Sequence, residues 1–161
     1  MNRIGNNLHH TGANKALIEA LIAHEVEFVI VGGLAVSWYC ATRQANDMDI
    51  LVNPTQENSI KVANALLSLN LTGFESNSFS KPGTQAPIKK YYYADIITPS
   101  KKGPSYSELV SESVSGNLFN IPVRIPSPVM LITMKEQAVA SSESELEKHK
   151  NDIACLREYA L

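Results

Sequence analysis

Aspartate is scarce in this 161-residue chain, and two of its four aspartates, Asp47 and Asp49, stand two apart at the head of the apolar run Met48 to Val52. Residues two apart on a strand point to the same face, so Asp47 and Asp49 are expected to project together while Met48 and Ile50 face the other way. Two carboxylates held side by side repel each other. A divalent cation is the usual means of offsetting that, and an all-oxygen ligand set suits Mg²⁺ or Mn²⁺. Asp95 lies in Tyr93-Ala94-Asp95-Ile96-Ile97, a strand-like segment where a charge is out of place unless paired or functional. If that strand neighbours the first, three carboxylates converge on one edge of a sheet. Upstream, Gly32-Gly33 closes a short apolar run and precedes a helix, a geometry that offers backbone N–H groups to phosphate. Residues 34–46 leave room for one short helix and a return loop, so the glycine turn and the carboxylate pair can face one site from adjacent strands.

The elements that must position these groups follow from periodicity and punctuation. Ala16, Leu17, Ala20, Leu21 and Ile22 recur at helical spacing with Glu19 facing away, which predicts a helix over 12–24. Phe28-Val29-Ile30-Val31 reads as a buried strand ended by the glycines, Leu34 to Ala41 as a short helix, and Asp47 to Val52 as the next strand, stopped by Asn53-Pro54. Thr55 is the expected N-cap of a helix whose apolar stripe is Ile60, Ala63, Leu66 and Leu67. Leu71 to Ile88 is rich in Ser, Gly, Pro and Asn, Ile88 to Thr98 is a strand, and Pro99 to Ser107 reads as a loop. Weaker strands are expected over 109–114 and 119–125, and helices over 129–140 and 144–159. The order predicts an α/β (α+β) domain, a mixed sheet flanked by helices, with residues 1–11 expected to be mobile.

Length and composition point the same way. A chain of 161 residues with 44% hydrophobic residues makes one domain with a sizeable core. Fourteen Lys and Arg against sixteen Asp and Glu leave a formal charge of −2, which argues against a protein whose whole surface grips nucleic acid or membrane. No run approaches the span of a membrane helix, and MNRIGNNLHH shows no secretory signal; a cytoplasmic protein is expected. Cys40 and Cys155 fit no metal spacing or disulfide framework, and Cys40 in its apolar context reads as a small buried thiol.

The glycine pair, a short helix, Arg43-x-x-x-Asp47-x-Asp49 with apolar residues after it, and a later strand aspartate resemble the nucleotidyltransferase superfold shared with polymerase β. Residues 28–58 (FVIVGGLAVSWYCATRQANDMDILVNPTQEN) are similar to small bacterial nucleotidyltransferases, among them the AbiE-type toxins of toxin–antitoxin systems. SPVMLITMKEQA and HKNDIACL extend the likeness to that family's later lysine helix and Arg-x-Lys-Asp-x-x-Asp-Leu segment. The resemblance implies that Asp47 and Asp49 hold the metals and the triphosphate, and that Asp95 bridges to the catalytic metal and helps deprotonate an acceptor hydroxyl. Gly32 and Gly33 would cradle phosphate, and Lys135 would reach the nucleotide's phosphates. It implies an NTP substrate, Mg²⁺ or Mn²⁺ as cofactor, an RNA, protein or small-molecule acceptor, and room for a partner protein. Phosphoryl transfer needs charge neutralisation and in-line positioning, which two metals supply. The chain departs from the family at Gly33, where many members carry Ser, and at Ala45 or Asn46 in place of Thr. His149, Asn151 and Cys155 stand where Arg, Lys and a second Asp are expected.

Plainer readings stand beside these. Arg43 divides between a surface partner of an acidic residue and a nucleotide-site residue that orients the pair or meets phosphate. Lys135 after Leu131, Ile132 and Met134 fits equally a lysine snorkelling off an apolar face. Lys148 and Lys150 among Glu143, Glu145 and Glu147 read as a solvated helix face, and Asp152 as a surface or packing residue. Tyr91 and Tyr93 share a strand face with Asp95 and could stack on a base, although strand aromatics more often pack. Lys89, Lys90, Lys101 and Lys102 could form a modest basic rim, and His9 and His10 show no ligand spacing. Two other functions fit the same residues: a non-catalytic nucleotide-binding or protein-interaction module of this fold, and an Asp-x-Asp glycosyltransferase using Mn²⁺.

Overall fold

The computed structural model describes residues 12–88, 92–141 and 146–160. Helix α1 (Gly12–Ala23) leads into β1 (Phe28–Val31), α2 (Gly32–Tyr39), β2 (Met48–Val52) and α3 (Gln56–Ser68). Strands β3 (Gln85–Ile88) and β4 (Ala94–Ile97) follow, then α4 (Tyr106–Ser111), the hairpin β5 (Ser113–Leu118) and β6 (Ile121–Pro126), and the helices α5 (Pro128–Ser141) and α6 (Leu146–Ala160). The main sheet has the order β1-β2-β4-β3. Strand β2 is antiparallel to β1 and parallel to β4, and β3 is antiparallel to β4. The expected mixed sheet with flanking helices is what the chain forms.

Alternation divides the sheet into two faces. Ile30, Ile50 and Ile96 are buried in the main core with Leu17, Leu21, Val62 and Leu66 of α1 and α3. Val29, Val31 and Leu51 face the other way and pack with Leu109, Met130 and Met134 of α4 and α5. Asp49 and Asp95 are in phase with this second set. Thr55 caps α3 as expected, its hydroxyl accepting from the Asn58 N–H at 3.2 Å. The Asn58 side chain is buried and bonded to Glu27 N–H and to the carbonyls of Glu27 and Asn53, pinning α3 to the ends of β1 and β2.

Several expectations need correction. The strand expected over 88–98 is two strands, with β3 ending at Ile88 and β4 beginning at Ala94. The strand expected over 109–114 begins as helix: Ser105 and Glu108 form a capping box that starts α4 inside the supposed loop. That box is the sequence pattern Ser-x-x-Glu. Phe119, expected in a strand, forms with Asn120 the two-residue turn of the β5–β6 hairpin, both at positive φ, as a turn matching strand twist requires. The second helix starts at Gly32, ahead of Leu34. Cys40 and Cys155, expected unlinked, form a disulfide with Cα atoms 6.2 Å apart at a sequence separation of 115. A spacing that long carries no local signal, and only the docking of α6 on α2 brings the thiols together. Residues 1–11, including His9 and His10, and Lys89, Lys90 and Tyr91 lie outside the described residues.

Candidate active site

The β1–α2 junction makes the first wall. Gly32 has φ +68°, a conformation open to glycine, and a Cβ there would collide with the Asp49 carboxylate. Helix α2 starts at that point with Val31 at its N-cap, which makes no side-chain cap hydrogen bond. A Cβ on Gly33 would lie 2.6 Å from Nη2 of Arg43. The Arg43 guanidinium thus occupies the space beside Gly33.

The sheet supplies the floor. Val31, Asp49 and Asp95 are register partners across β1, β2 and β4, so Asp49 and Asp95 stand side by side on one face. Strand β2 starts at Met48, which leaves Asp47 in the bend before it rather than in the strand. A cleft of about 470 Å³ opens here, lined by Gly33, Arg43, Asp47 and Asp49 together with Gln85, Lys135, Lys148 and His149. Asp95 is only 6% exposed; it is the register partner of Asp49 but is not among the residues that line the cleft.

Helix α6 orients the basic wall. Asp152 is 2% exposed; its Oδ1 accepts from Nε of Arg43 at 2.8 Å and its Oδ2 lies 3.1 Å from Nζ of Lys135. Lys135 also approaches Nδ1 of His149 at 3.4 Å. Asp152, expected at a surface or in packing, is thus a buried hub that holds two cations of the cleft. Sequence reading passed over Lys148, His149 and Asp152 as site neighbours; the HKNDIACL segment was the available signal. Tyr92 is buried in the main core and Tyr93 is exposed before β4, so Tyr92 packs and does not face the cleft.

Burial, reinforced by the charges of Asp47 and Asp95 and partly offset by Lys135 and Lys148, pushes the Asp49 carboxyl up to about 6. Such repulsion is what a divalent cation relieves. Among the described residues no three His, Cys, Asp or Glu side chains converge as a ready ligand cage. The convergence of Asp47, Asp49 and Asp95 expected from the sequence is thus not a formed ligand group: Asp47 sits in the bend before β2 and Asp95 is buried beside Asp49.

Solved structures with the same layout decide the fold. An antigenic nucleotidyltransferase-like protein from Paracoccidioides brasiliensis superposes with a TM-score of 0.56 at 14% identity, over 88% of this chain and 73% of its own. The structure of ANT(2")-Ia in complex with adenylyl-2"-tobramycin gives 0.59 at 13% identity, over 91% and 87% of the two chains. The fold is the nucleotidyltransferase fold. A solution structure of the same antibiotic-resistance factor, ANT(2'')-Ia, again gives 0.59 at 13% identity, covering 91% of this chain and 82% of that one. No protein-family profile and no curated protein matches the chain. Among the described residues no helix is long and apolar enough to cross a membrane.

Proposed function

We propose that this nucleotidyltransferase-fold chain is a metal-dependent nucleotidyltransferase that moves a nucleoside monophosphate from an NTP to a hydroxyl acceptor. The observation that carries the reading is the in-register pair Asp49 and Asp95, with Asp47 and Asp49 lining a cleft shared with Arg43, Lys135 and Lys148. Gly33 and the first turn of α2, with Arg43, Lys135 and Lys148, bind the triphosphate. Asp47, Asp49 and Asp95 would hold Mg²⁺, or Mn²⁺, which supplies charge neutralisation at the phosphates. Asp95 accepts the proton of the acceptor hydroxyl as its oxygen bonds to the α-phosphorus. The bond from that phosphorus to the bridging oxygen breaks, and the electron pair leaves on pyrophosphate. Asp152 fixes Arg43 and Lys135 where the leaving phosphates develop charge.

Isothermal titration with each of the four NTPs, with and without Mg²⁺, tests the reading. Wild type should bind at least one NTP only with the metal, and an Asp47→Ala/Asp49→Ala variant should lose that binding. Binding that ignores both the metal and the carboxylates overturns the assignment, as does failure to bind any NTP. Retained Mg²⁺–NTP binding without transfer to RNA, protein or small-molecule acceptors would favour the non-catalytic module.

The toxin–antitoxin setting, a cytoplasmic location and a possible partner protein belong to the proposal through the resemblance to AbiE-type enzymes. Induced expression of the wild type should arrest bacterial growth, whereas Asp49→Asn should not. Equal growth in both cases would remove the toxin role.

A further inference from the structure

A second cavity, of about 380 Å³, lies on the same sheet face one side-chain position beyond the carboxylates. Asp49 and Asp95 are followed, two residues along each strand, by Leu51 and Ile97, which are themselves register partners and form its floor. Met134 and Ala138 of α5 make one wall, and the Thr98–Pro104 loop makes the other. Gln85, paired with Ile97 on the edge strand β3, lines both cavities and marks where they meet. The loop is fastened to α5 by a hydrogen bond from Nε2 of Gln137 to the Lys102 carbonyl. A Cβ on Gly103 would lie 2.8 Å from Gln137 Oε1 and Ser100 Oγ, so the loop backbone approaches both side chains closely there.

We infer that this cavity is the acceptor subsite, and that it takes an uncharged hydroxyl compound with an apolar face. The inference rests on the transferase reading above. In-line displacement places nucleophile and leaving group on opposite sides of the α-phosphorus. With the phosphates held by the glycine turn and Arg43 at the β1 side of the row β1-β2-β4-β3, the acceptor enters from the β4–β3 side, where Gln85 joins the two cavities. Its volume falls in the range of small-molecule sites, roughly 300–1,000 Å³. None of the residues that line it is charged. A polycation desolvated there would find no carboxylate to repay the loss of water, so an aminoglycoside is the wrong class of acceptor for this wall.

Methyl NMR on the full chain tests this, with uridine as an uncharged hydroxyl probe and tobramycin as a polycationic one, each added to protein saturated with Mg²⁺ and α,β-methylene-ATP. Uridine should shift the Leu51, Ile97 and Met134 methyls saturably, and tobramycin should not. Ala138→Trp, which fills the cavity, should weaken the uridine response about tenfold or more. Ser100→Trp at the exposed rim should do the same with less risk to folding, and core methyls of α1 and α3 report that both variants fold. Shifts from tobramycin, or none from uridine, overturn the inference. Shifts of these methyls by the nucleotide alone would give the cavity to the nucleobase and overturn it too. Failure of Mg²⁺–nucleotide to bind the wild type is a separate result, which strikes the transferase reading itself.

Discussion

Asp49 concentrates the electrostatics of the site. Its folded-state pKa of about 6 lies above the ordinary 3.8, so the fold prefers the neutral carboxyl. The stability this carries is fully present below about pH 4 and is lost as pH rises through 6. Near pH 7 the ionised group therefore costs the metal-free protein about 2–3 kcal/mol at most. Asp49→Asn should raise the melting temperature of the metal-free protein at pH 7.5 and leave it nearly unchanged at pH 4. Mg²⁺ should stabilise wild type at pH 7.5 more than at pH 5, and should do little for Asp49→Asn. Thermal melts across that pH range check both; a variant less stable than wild type at pH 7.5 would show that Asp49 is already compensated by its lysines. The three carboxylates were legible in sequence because an Asp-x-Asp pair and a lone strand aspartate stand out in an apolar context. Asp152 was not, because a single Asp in a charged helix looks the same whether its partners are water or two cations.

Helix α6 reaches the site through Asp152 alone among its carboxylates, gripping Arg43 from the α2–β2 loop and Lys135 from α5. Removing one partner of a buried ion pair leaves charge uncompensated, although Arg43 and Lys135 keep some access to water, with side chains 19% and 11% exposed. Asp152→Asn should lower stability by about 2 kcal/mol and weaken Mg²⁺–NTP binding about tenfold, because both cations lose their orientation. A lowered melting temperature with unchanged nucleotide affinity would make Asp152 a packing residue only. At this scale the sequence read well where one rule governed: the Thr55 cap and the strand over Met48 to Val52. It failed where two signals overlapped. The apolar residues of 109–114 suited a strand, but the Ser105–Glu108 capping box satisfied a helix end first and carried Leu109 into the second core.

Across the whole molecule, the Cys40–Cys155 disulfide joins the end of α2 to α6, on which Lys148, His149 and Asp152 sit. A link spanning 115 residues removes much of the unfolded chain's freedom, and such links typically contribute about 2–4 kcal/mol. Cys155→Ser, or reduction of wild type, should lower the denaturation midpoint accordingly, with reduction having no effect on the variant. If reduction leaves wild type unmoved, the disulfide does not form in solution. The amino-acid sequence by itself determined the alternation that makes a two-faced strand, the glycine turn, and the phase that puts Asp49 and Asp95 opposite to Ile50 and Ile96. These are matters of local steric preference and a two-residue period. Only the tertiary structure decided that β2 and β4 are parallel neighbours in register, that Arg43 takes the space beside Gly33, that Asp152 grips Arg43 and Lys135, and that the second cavity lies over Leu51 and Ile97. Each of those depends on contacts between segments tens of residues apart, for which neither spacing nor composition leaves a local trace.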